Sequence, residues 1–275
     1  MPDQPHYFDQ HLPDSPLQFR MVRVPAGTFR MGSPDNDPVA YDDEKPQHTV
    51  RLNGFWLAET PVTQALWETV MGGNPSLFQS PQRPVEFVSW FDAVVFCNAM
   101  SQRTERRPVY LTRAGETYGW AGKTWTLPND GDVHRDLNAD GYCLPTEAEW
   151  EHAAREGSDA DFRYCGSDLL NQVGWNHDNM GLETRDVALL LPNALGLYDM
   201  SGNVYEWCED WWGDYTAEAQ ENPRGPGKGI NRVFRAGPWS DGLRDCRPAY
   251  RAGGGPDARL LSFGFRLALS LQSDG

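Results

Sequence analysis

Cysteine and histidine are the side chains of this sequence that could carry nucleophilic, redox or metal chemistry, and their spacing limits that chemistry. No two cysteines form a Cys-x-x-Cys pair, so the spacing of a structural zinc site is absent. The five cysteines are Cys97, Cys143, Cys165, Cys208 and Cys246. This scattered distribution is typical of buried thiols in a reducing compartment; the alternative is an exported form with one or two disulfides and one thiol left over.

The six histidines also lack ligand spacing, because no two are separated as i, i+4 or His-x-His. They are His6, His11, His48, His134, His152 and His177. Neighbouring carboxylates such as Asp42-Asp43-Glu44 are expected by chance among 39 acidic residues and indicate solvated loops. The residue types and their spacing therefore indicate no zinc or iron centre, no Ser-His-Asp triad and no phosphate-binding loop.

The elements that must position any site belong to a chain of 275 residues with a formal net charge of −15. This charge excludes the basic footprint of a nucleic-acid-binding protein and indicates a soluble, self-repelling surface. No stretch approaches the ~20 apolar residues of a membrane-spanning helix. Residues 1–10 have neither a basic start nor an apolar run, so no signal peptide is predicted. We expect a cytoplasmic protein from the sequence as given, and a surface-exposed one if a leader was removed.

Glycine and proline are frequent, at 27 and 21 residues, which favours short strands and many turns. Residues 1–20 are predicted to be a loose arm, and residues 21–275 a single domain. Helices are predicted over about residues 64–71, 90–100 and 147–156, after the capping residues Thr63, Ser89 and Thr146. Residues 105–141 indicate an insertion with hairpins, and residues 264–269 alternate like a strand that pairs with an earlier one.

Six segments of the sequence resemble, in order, the motifs of the formylglycine-generating-enzyme/sulfatase-modifying-factor family. They are residues 24–33, 44–50, 84–93, 144–151 (Leu-Pro-Thr-Glu-Ala-Glu-Trp-Glu), 196–207 and 234–267. The resemblance covers about residues 21–270 and implies an α+β, C-type-lectin-like fold with short antiparallel strands, few helices and much irregular structure. The family includes formylglycine generators, sulfoxide synthases and the variable proteins of diversity-generating retroelements. The sequence most resembles these variable proteins.

The resemblance implies a test for enzyme activity, because formylglycine generators hold copper with two cysteines five residues apart. Copper(I) prefers such soft thiolate ligands. In this sequence Cys246 is at the second position, but Asp241 is at the first. A carboxylate is a hard oxygen donor, so neither copper nor formylglycine generation is expected. Cys246 is instead predicted to be a small buried thiol that packs in the interior.

Iron and calcium are the other metals that the family resemblance brings into question. Sulfoxide synthases bind iron through an extra N-terminal helical domain, for which too few residues precede residue 21, so iron is not expected. Relatives hold calcium in the loop that corresponds to residues 202–207, through hard oxygen donors. Asn203 and Glu206 are predicted to ligate one Ca²⁺; the alternative is that both side chains only hydrogen-bond the loop.

The C-terminal segment carries the predicted ligand-binding positions, which lie in gaps between the family's fixed residues. They are Ser240, Asp241, Gly242, Leu243, Arg244, Asp245, Pro248, Tyr250, Ala258, Leu260, Leu261, Ser262 and Phe263. Retroelement mutagenesis acts at template adenines, and randomised AAC codons cannot encode Trp, Lys, Gln, Met or Glu; none of these occurs in residues 240–266. The apolar run 260–263 has two interpretations, an interaction surface or an extension of the last strand into the core.

We therefore predict a non-catalytic protein that displays variable C-terminal loop residues on a lectin-like scaffold. Its ligand is unknown and is expected to be a protein. The prediction depends on an intact scaffold, a broken cysteine pair and permissive residues confined to the gaps. The alternative is a divergent oxidative enzyme of the formylglycine-generating or sulfoxide synthase type.

Overall fold

The computed structural model describes residues 6–112, 115, 120–121, 124–125, 133–159, 161–238, 240 and 242–271. Its strands are β1 Tyr7–His11, β2 Gln18–Val24, β3 Gly27–Met31, β4 His48–Leu52, β5 Phe55–Ala58, β6 Tyr110–Leu111, β7 Trp120–Ala121, β8 Thr124–Trp125, β9 His134–Arg135, β10 Gly174–Trp175, β11 Ser201–Gly202, β12 Tyr205–Trp211, β13 Gln220–Glu221, β14 Arg232–Arg235, β15 Ala252–Gly254, β16 Phe263–Gly264 and β17 Ala268–Ser270. Its helices are α1 Gln64–Met71, α2 Trp90–Arg103, α3 Glu147–Ala154, α4 Leu170–Val173, α5 His177–Met180 and a 3-10 helix at Asp42–Glu44. In this part of the chain, every helix falls short of the length and apolar character that a membrane span needs.

Four strands from the two ends of the chain form one antiparallel sheet in the order β1-β2-β5-β17. In its last pair, Leu269 of β17 lies opposite Trp56 of β5. The prediction that a strand near the C-terminus pairs with an earlier strand is therefore confirmed. This pairing closes the domain, because it brings the final segment back onto elements that precede the first long helix.

The prediction of a loose arm at residues 1–20 is wrong for the described part of that segment. β1 and β2 form a hairpin in which Tyr7 lies opposite Val22 and His11 lies opposite Gln18. Prolines and aspartates dominate the local composition and obscure the alternation of the strands. β1 is therefore stabilised by its hydrogen bonds to β2, and the local sequence alone does not predict this pairing.

A second sheet, in the order β15-β14-β12-β16, gathers the motif at residues 196–207 and the C-terminal segment. β12 pairs antiparallel with β14 and parallel with β16. The remaining strands form the three-stranded sheet β13-β4-β3 and the pairs β10-β11, β6-β9 and β7-β8. Many short strands with few helices confirm the predicted α+β, C-type-lectin-like fold class.

The three main helices begin at the predicted capping residues. The hydroxyl oxygens of Thr63, Ser89 and Thr146 accept hydrogen bonds from the backbone N–H groups of Leu66, Asp92 and Glu149. The predicted ends are less accurate, because α2 continues to Arg103 and α3 stops at Ala154. Helix α3 ends early because Glu156 and Gly157 have φ angles of 62° and 70°, which continue no right-handed helix.

Buried tryptophans connect the elements around the core. Trp90, Trp150 and Trp207 are each no more than 1% exposed. The indole N–H of Trp207 donates to the carbonyl of Val88 at 3.0 Å, and that of Trp150 donates to Glu206 at 2.7 Å. These bonds join β12 to the start of α2 and to α3, and so fix the sheet from which the C-terminal segment continues.

Candidate ligand-binding face

Four arginines of β14 and the C-terminal segment are buried in ion pairs with glutamates from earlier elements. They are Arg235, Arg247, Arg251 and Arg266. Arg247 binds the two carboxylate oxygens of Glu44 at 2.9 and 2.5 Å. Arg251 binds those of Glu147 at 2.7 and 2.8 Å. A bidentate pair fixes the plane of the guanidinium as well as its distance, so the backbone at these residues is held to the 3-10 helix and to α3.

Arg235 and Arg266 complete the network of buried pairs. Arg235 donates to Glu147 at 2.8 Å and to Glu151 at 2.6 Å, and Arg266 donates to both oxygens of Glu206 at 2.6 Å. Burial favours the protonated form of Glu147, but its two arginine partners outweigh this effect and hold its pKa below the ordinary value. Glu147 therefore remains charged, and loss of one member of a buried ion pair would leave the other charge uncompensated.

Most of the predicted ligand-binding positions lie at the surface between these arginines. Exposed positions are Ser240, Gly242, Leu243, Arg244 and Leu260, and half-buried positions are Asp245, Tyr250, Ala258, Leu261 and Ser262. Leu243 and Leu260 are 45% and 53% exposed, whereas Arg247 and Arg251 are 5% and 2% exposed. Exposed and buried side chains thus occur in turn along the segment, and the buried arginines make its bidentate ion pairs with earlier elements.

Two predicted ligand-binding positions, Phe263 and Pro248, have buried side chains and do not belong to the exposed face. Phe263 is 4% exposed and its ring centroid lies 4.7 Å from that of Trp207. It begins β16, and pairing with β12 turns it towards the core. Pro248 is also buried, and its carbonyl accepts a hydrogen bond from a buried arginine at 2.5 Å. Within the run 260–263, strand extension therefore describes Phe263, while Leu260 stays at the surface.

An aromatic groove lies where the acidic loop at residues 35–44 meets the C-terminal segment. It encloses about 380 Å³ and is lined by Tyr41, Asp43, Trp212, Asn231, Tyr250, Arg251, Ala252 and Gly253. The ring centroids of Tyr41 and Tyr250 are 5.7 Å apart, and the Tyr250 hydroxyl lies 3.1 Å from that of Tyr205. Sequence reasoning missed Tyr41, because an isolated tyrosine in an acidic loop has no periodicity to mark it.

An apolar groove borders the other end of the segment. It encloses about 440 Å³ and is lined by Trp67, Met71, Gly73, Pro75, Phe87, Val88, Asp92 and Arg259. Phe87 is 41% exposed and has a φ of 63°, a left-handed conformation that is unusual for an aromatic residue. Its N–H donates to the carbonyl of Leu260 at 3.0 Å. Sequence reasoning missed Phe87 too, because it lies inside a family motif that indicates scaffold.

Cys246 has the environment predicted for a packing thiol. It is fully buried beside Tyr164, Leu170 and Val173. All five cysteines are buried, and none forms a disulfide within the described part of the chain. Asp241, which replaces the other cysteine of the family's copper pair, lies outside the described residues, so the absence of copper stays a prediction.

The predicted calcium ligands Asn203 and Glu206 have protein partners in the loop at residues 202–207. Both oxygens of Glu206 accept hydrogen bonds from Arg266 at 2.6 Å, and the side-chain oxygen of Asn203 accepts one from the N–H of Arg185 at 3.1 Å. A calcium ion on this pair would compete with the buried arginine for the oxygens of Glu206. The contacts therefore fit the alternative, in which both side chains hydrogen-bond the loop, and they do not fit a shared metal ion.

Comparison with known proteins gives consistent matches over nearly all of the chain. Residues 11–271 match the family described as Sulfatase-modifying factor enzyme 1-like domain. The chain is 33% identical to the formylglycine-generating enzyme of Streptomyces coelicolor, over 90% of this chain and 88% of that protein. It is also 33% identical to the chaperone protein LppX of Paenibacillus barcinonensis, over 87% of each.

Among solved structures, the fold matches Treponema denticola variable protein 1 with a TM-score of 0.84 and 32% sequence identity. The match covers 98% of this chain and 100% of that one. The predicted resemblance to variable proteins is therefore confirmed at the level of the whole structure. With the family match over residues 11–271, these comparisons show that the chain belongs to the formylglycine-generating-enzyme/sulfatase-modifying-factor family.

Proposed function

We propose that this chain is a non-catalytic ligand-binding protein whose specificity lies in the exposed residues of its C-terminal segment. The observation that carries the proposal is the separation of roles within residues 240–266. Side chains at gap positions such as Leu243 and Leu260 are exposed, whereas Arg247 and Arg251 between them are buried in ion pairs. The exposed side chains can change without loss of the contacts that hold the backbone, which is the requirement for a diversified binding surface.

The residue types on this face suit a protein ligand. Exposed leucine and arginine and a half-buried tyrosine supply the large apolar and cationic contacts that anchor many protein interfaces. The carbonyl of Leu260 accepts a hydrogen bond from Phe87, which lines the apolar groove, and Tyr250 lines the aromatic groove. The segment therefore links two concave surfaces of about 440 and 380 Å³. Apolar side chains that are exposed together in loops are typical of surfaces that bind a macromolecule.

One structural comparison, taken together with the residue at position 241, supports a display role. One structural match, over 98% of the chain, is to a protein named a variable protein. The formylglycine-generating relatives share the scaffold, but this sequence has Asp241 where the family's copper chemistry requires a thiolate. We propose diversification by a retroelement as the origin of the exposed residues.

Sequencing the genomic locus and its sister copies tests this proposal. The expected result is a nearby reverse transcriptase gene and a template copy of the end of the coding sequence that differs from it only at adenines. Sister copies should vary at Leu243, Tyr250 and Leu260, while the matched control codons for Arg247 and Arg251 stay fixed. A locus without either element, in which the control codons vary as much as the exposed ones, would overturn the proposal.

A further inference from the structure

We propose that the loop at residues 39–41 is a receptor for one guanidinium group. In this chain Arg244 fills the receptor; in copies with a non-basic residue at this position, an arginine of the bound protein fills it. The second half of the proposal rests on the proposed function. The first half concerns this chain alone and can be tested without any partner.

The geometry around Arg244 is that of a formed binding site. Its guanidinium carbon lies 3.4 Å from the centroid of the Tyr41 ring. Its Nε donates to the carbonyl of Val39 at 2.6 Å, and its Nη2 donates to the carbonyl of Ala40 at 2.9 Å. A ring face with two carbonyls at its edge matches a planar cation that has donors around its rim, and a compact ammonium group would not engage all three at once.

The receptor is held in place by contacts that do not involve Arg244. The N–H of Tyr41 donates to Glu44 at 3.2 Å, and Glu44 is itself fixed by the buried Arg247. The N–H of Val39 donates to the side chain of Asp37 at 2.9 Å. The ring and both carbonyls are therefore expected to keep their positions when residue 244 loses its guanidinium.

The receptor also continues into the proposed binding face. The Tyr41 hydroxyl donates to Asp245 at 2.9 Å, and the Tyr41 ring is a wall of the aromatic groove beside Tyr250. Asp43 is exposed at the rim of the same groove. An arginine that leaves the receptor would open a site with a negative rim next to the displayed residues, and a cationic side chain of a partner is the chemistry that fits it.

Arg244→Ala creates the empty receptor for a direct test with methylguanidinium. The chain has ten tyrosines, so tyrosine ring carbons can be labelled with ¹³C and followed by NMR, with the Tyr41 signal identified by its loss in Tyr41→Phe. We expect saturable shifts of the Tyr41 signal in Arg244→Ala, with an affinity about tenfold or more above that of the unchanged protein, where Arg244 competes. Methylammonium should bind more weakly than methylguanidinium.

Two further variants make the result decisive. Because Tyr41→Leu removes the reporting ring, binding to the variants is followed on the ligand, by saturation transfer from the protein to the methyl protons of methylguanidinium. Arg244→Ala combined with Tyr41→Leu should lose the binding, whereas Arg163→Ala should gain none, because Arg163 lies 5.8 Å from the ring of Tyr164, a looser contact. Thermal melting and the remaining tyrosine signals establish that each variant is folded. Absence of binding by folded Arg244→Ala, or binding that survives Tyr41→Leu, would overturn the receptor.

The partner half of the proposal has its own readout. Once a binding protein is identified, Tyr41→Leu in the Arg244→Ala background should weaken the complex, and replacing the partner's arginines with lysine should do the same. A receptor that binds methylguanidinium in a chain whose locus lacks retroelement features would refute the proposed function and keep the receptor. If folded Arg244→Ala does not bind methylguanidinium but the locus has the retroelement features, the receptor is refuted and the proposed function stands.

Discussion

Leu260 and Phe263 are close in the chain but occupy opposite environments, 53% and 4% exposed. Because the Phe263 ring lies 4.7 and 4.8 Å from the rings of Trp207 and Phe234, its removal opens a core cavity. We expect Phe263→Ala to lower the free energy of unfolding by about 3–5 kcal/mol, and the matched control Leu260→Ala to change it by about 0.5 kcal/mol or less. Urea denaturation measures both. Equal losses of stability in the two variants would contradict the difference in burial between Phe263 and Leu260.

Glu206 provides a test of the calcium prediction that is independent of any other ion site. Because its partner Arg266 is fully buried, Glu206→Gln should destabilise the fold by about 3–5 kcal/mol. If the pair does not bind Ca²⁺, the difference in Tm between calcium and chelator will be the same in the variant and the unchanged protein. A calcium-dependent rise in Tm that Glu206→Gln abolishes would instead restore Asn203 and Glu206 as ligands.

Asp210 makes the stability of the fold depend on pH near neutrality. Burial, with the neighbouring charge of Glu147, raises the pKa of its carboxyl to about 7 from an ordinary 3.8. The folded state therefore holds this proton more tightly than the unfolded chain. Its contribution to stability is complete below pH 3.8 and is lost as the pH rises through about 7.

Asp210→Asn should remove that loss, because the amide stays neutral and can still accept the N–H of Glu147. Between pH 5 and pH 8 we expect the unchanged protein to lose about 2–3 kcal/mol more stability than the variant. Urea denaturation across this range measures the difference, with the exposed Asp214→Asn as a matched control. Parallel pH profiles for the protein and Asp210→Asn would contradict the raised pKa.

At the scale of elements, the N-terminal cap of helix α3 affects the candidate ligand-binding face, because the helix carries Glu147 and Glu151, which pair with buried arginines. Its cap is Thr146, whose hydroxyl oxygen accepts the N–H of Glu149 at 3.1 Å. Thr146→Ala should cost about 1 kcal/mol in the free energy of unfolding, and Thr146→Ser, which keeps the acceptor, should cost less. Hydrogen exchange at the first turn of α3 distinguishes a frayed cap from a general loss of stability. Equal costs for the two substitutions would show that the hydroxyl contributes nothing.

The elements that the sequence predicted best are those with a local chemical signal. The caps at Thr63, Ser89 and Thr146 are such signals, since a side-chain oxygen and a backbone N–H three residues later suffice to form them. The hairpin of β1 and β2 has no comparable signal, because its register depends on a pairing that continues through β5. Predicted element boundaries are less accurate for a related reason. Helix α3 ends before Glu156 and Gly157, which both have a left-handed backbone, and only the glycine predicts such a conformation from sequence.

The candidate site likewise contains residues that a local sequence pattern predicts and residues that only the fold brings together. The gap pattern predicted exposed positions such as Leu243 and Arg244, because the family resemblance separates fixed from permissive positions along the sequence. For the run 260–263 the sequence left a surface and an extension of the last strand as alternatives. It could not identify Phe263 as buried, since the inward turn depends on pairing with a strand more than fifty residues earlier. Tyr41 and Phe87 join the face from other parts of the chain, and that proximity is a property of the fold.

At the scale of the whole molecule, the family scaffold is complete while the cysteine pair of its enzymes is not. We therefore expect no conversion of a sulfatase-type cysteine peptide to formylglycine in the presence of copper(I) and oxygen, because Asp241 cannot replace a soft thiolate. Mass spectrometry of the peptide measures the product, and the formylglycine-generating enzyme of Streptomyces coelicolor is the positive control. Turnover that disappears in Cys246→Ser would contradict this expectation and favour the oxidative alternative.

Because the ion pairs of Arg247, Arg251 and Arg266 are buried, dissolved counterions weaken their attraction much less than they weaken interactions between exposed charges. The chain as a whole carries an excess of negative charge, −15, and repulsion among its exposed acidic groups is open to screening. Rising ionic strength thus reduces the repulsion and leaves the internal anchors of the loops largely unchanged. A protein built in this way keeps its C-terminal loops in place at high ionic strength as well as at low ionic strength.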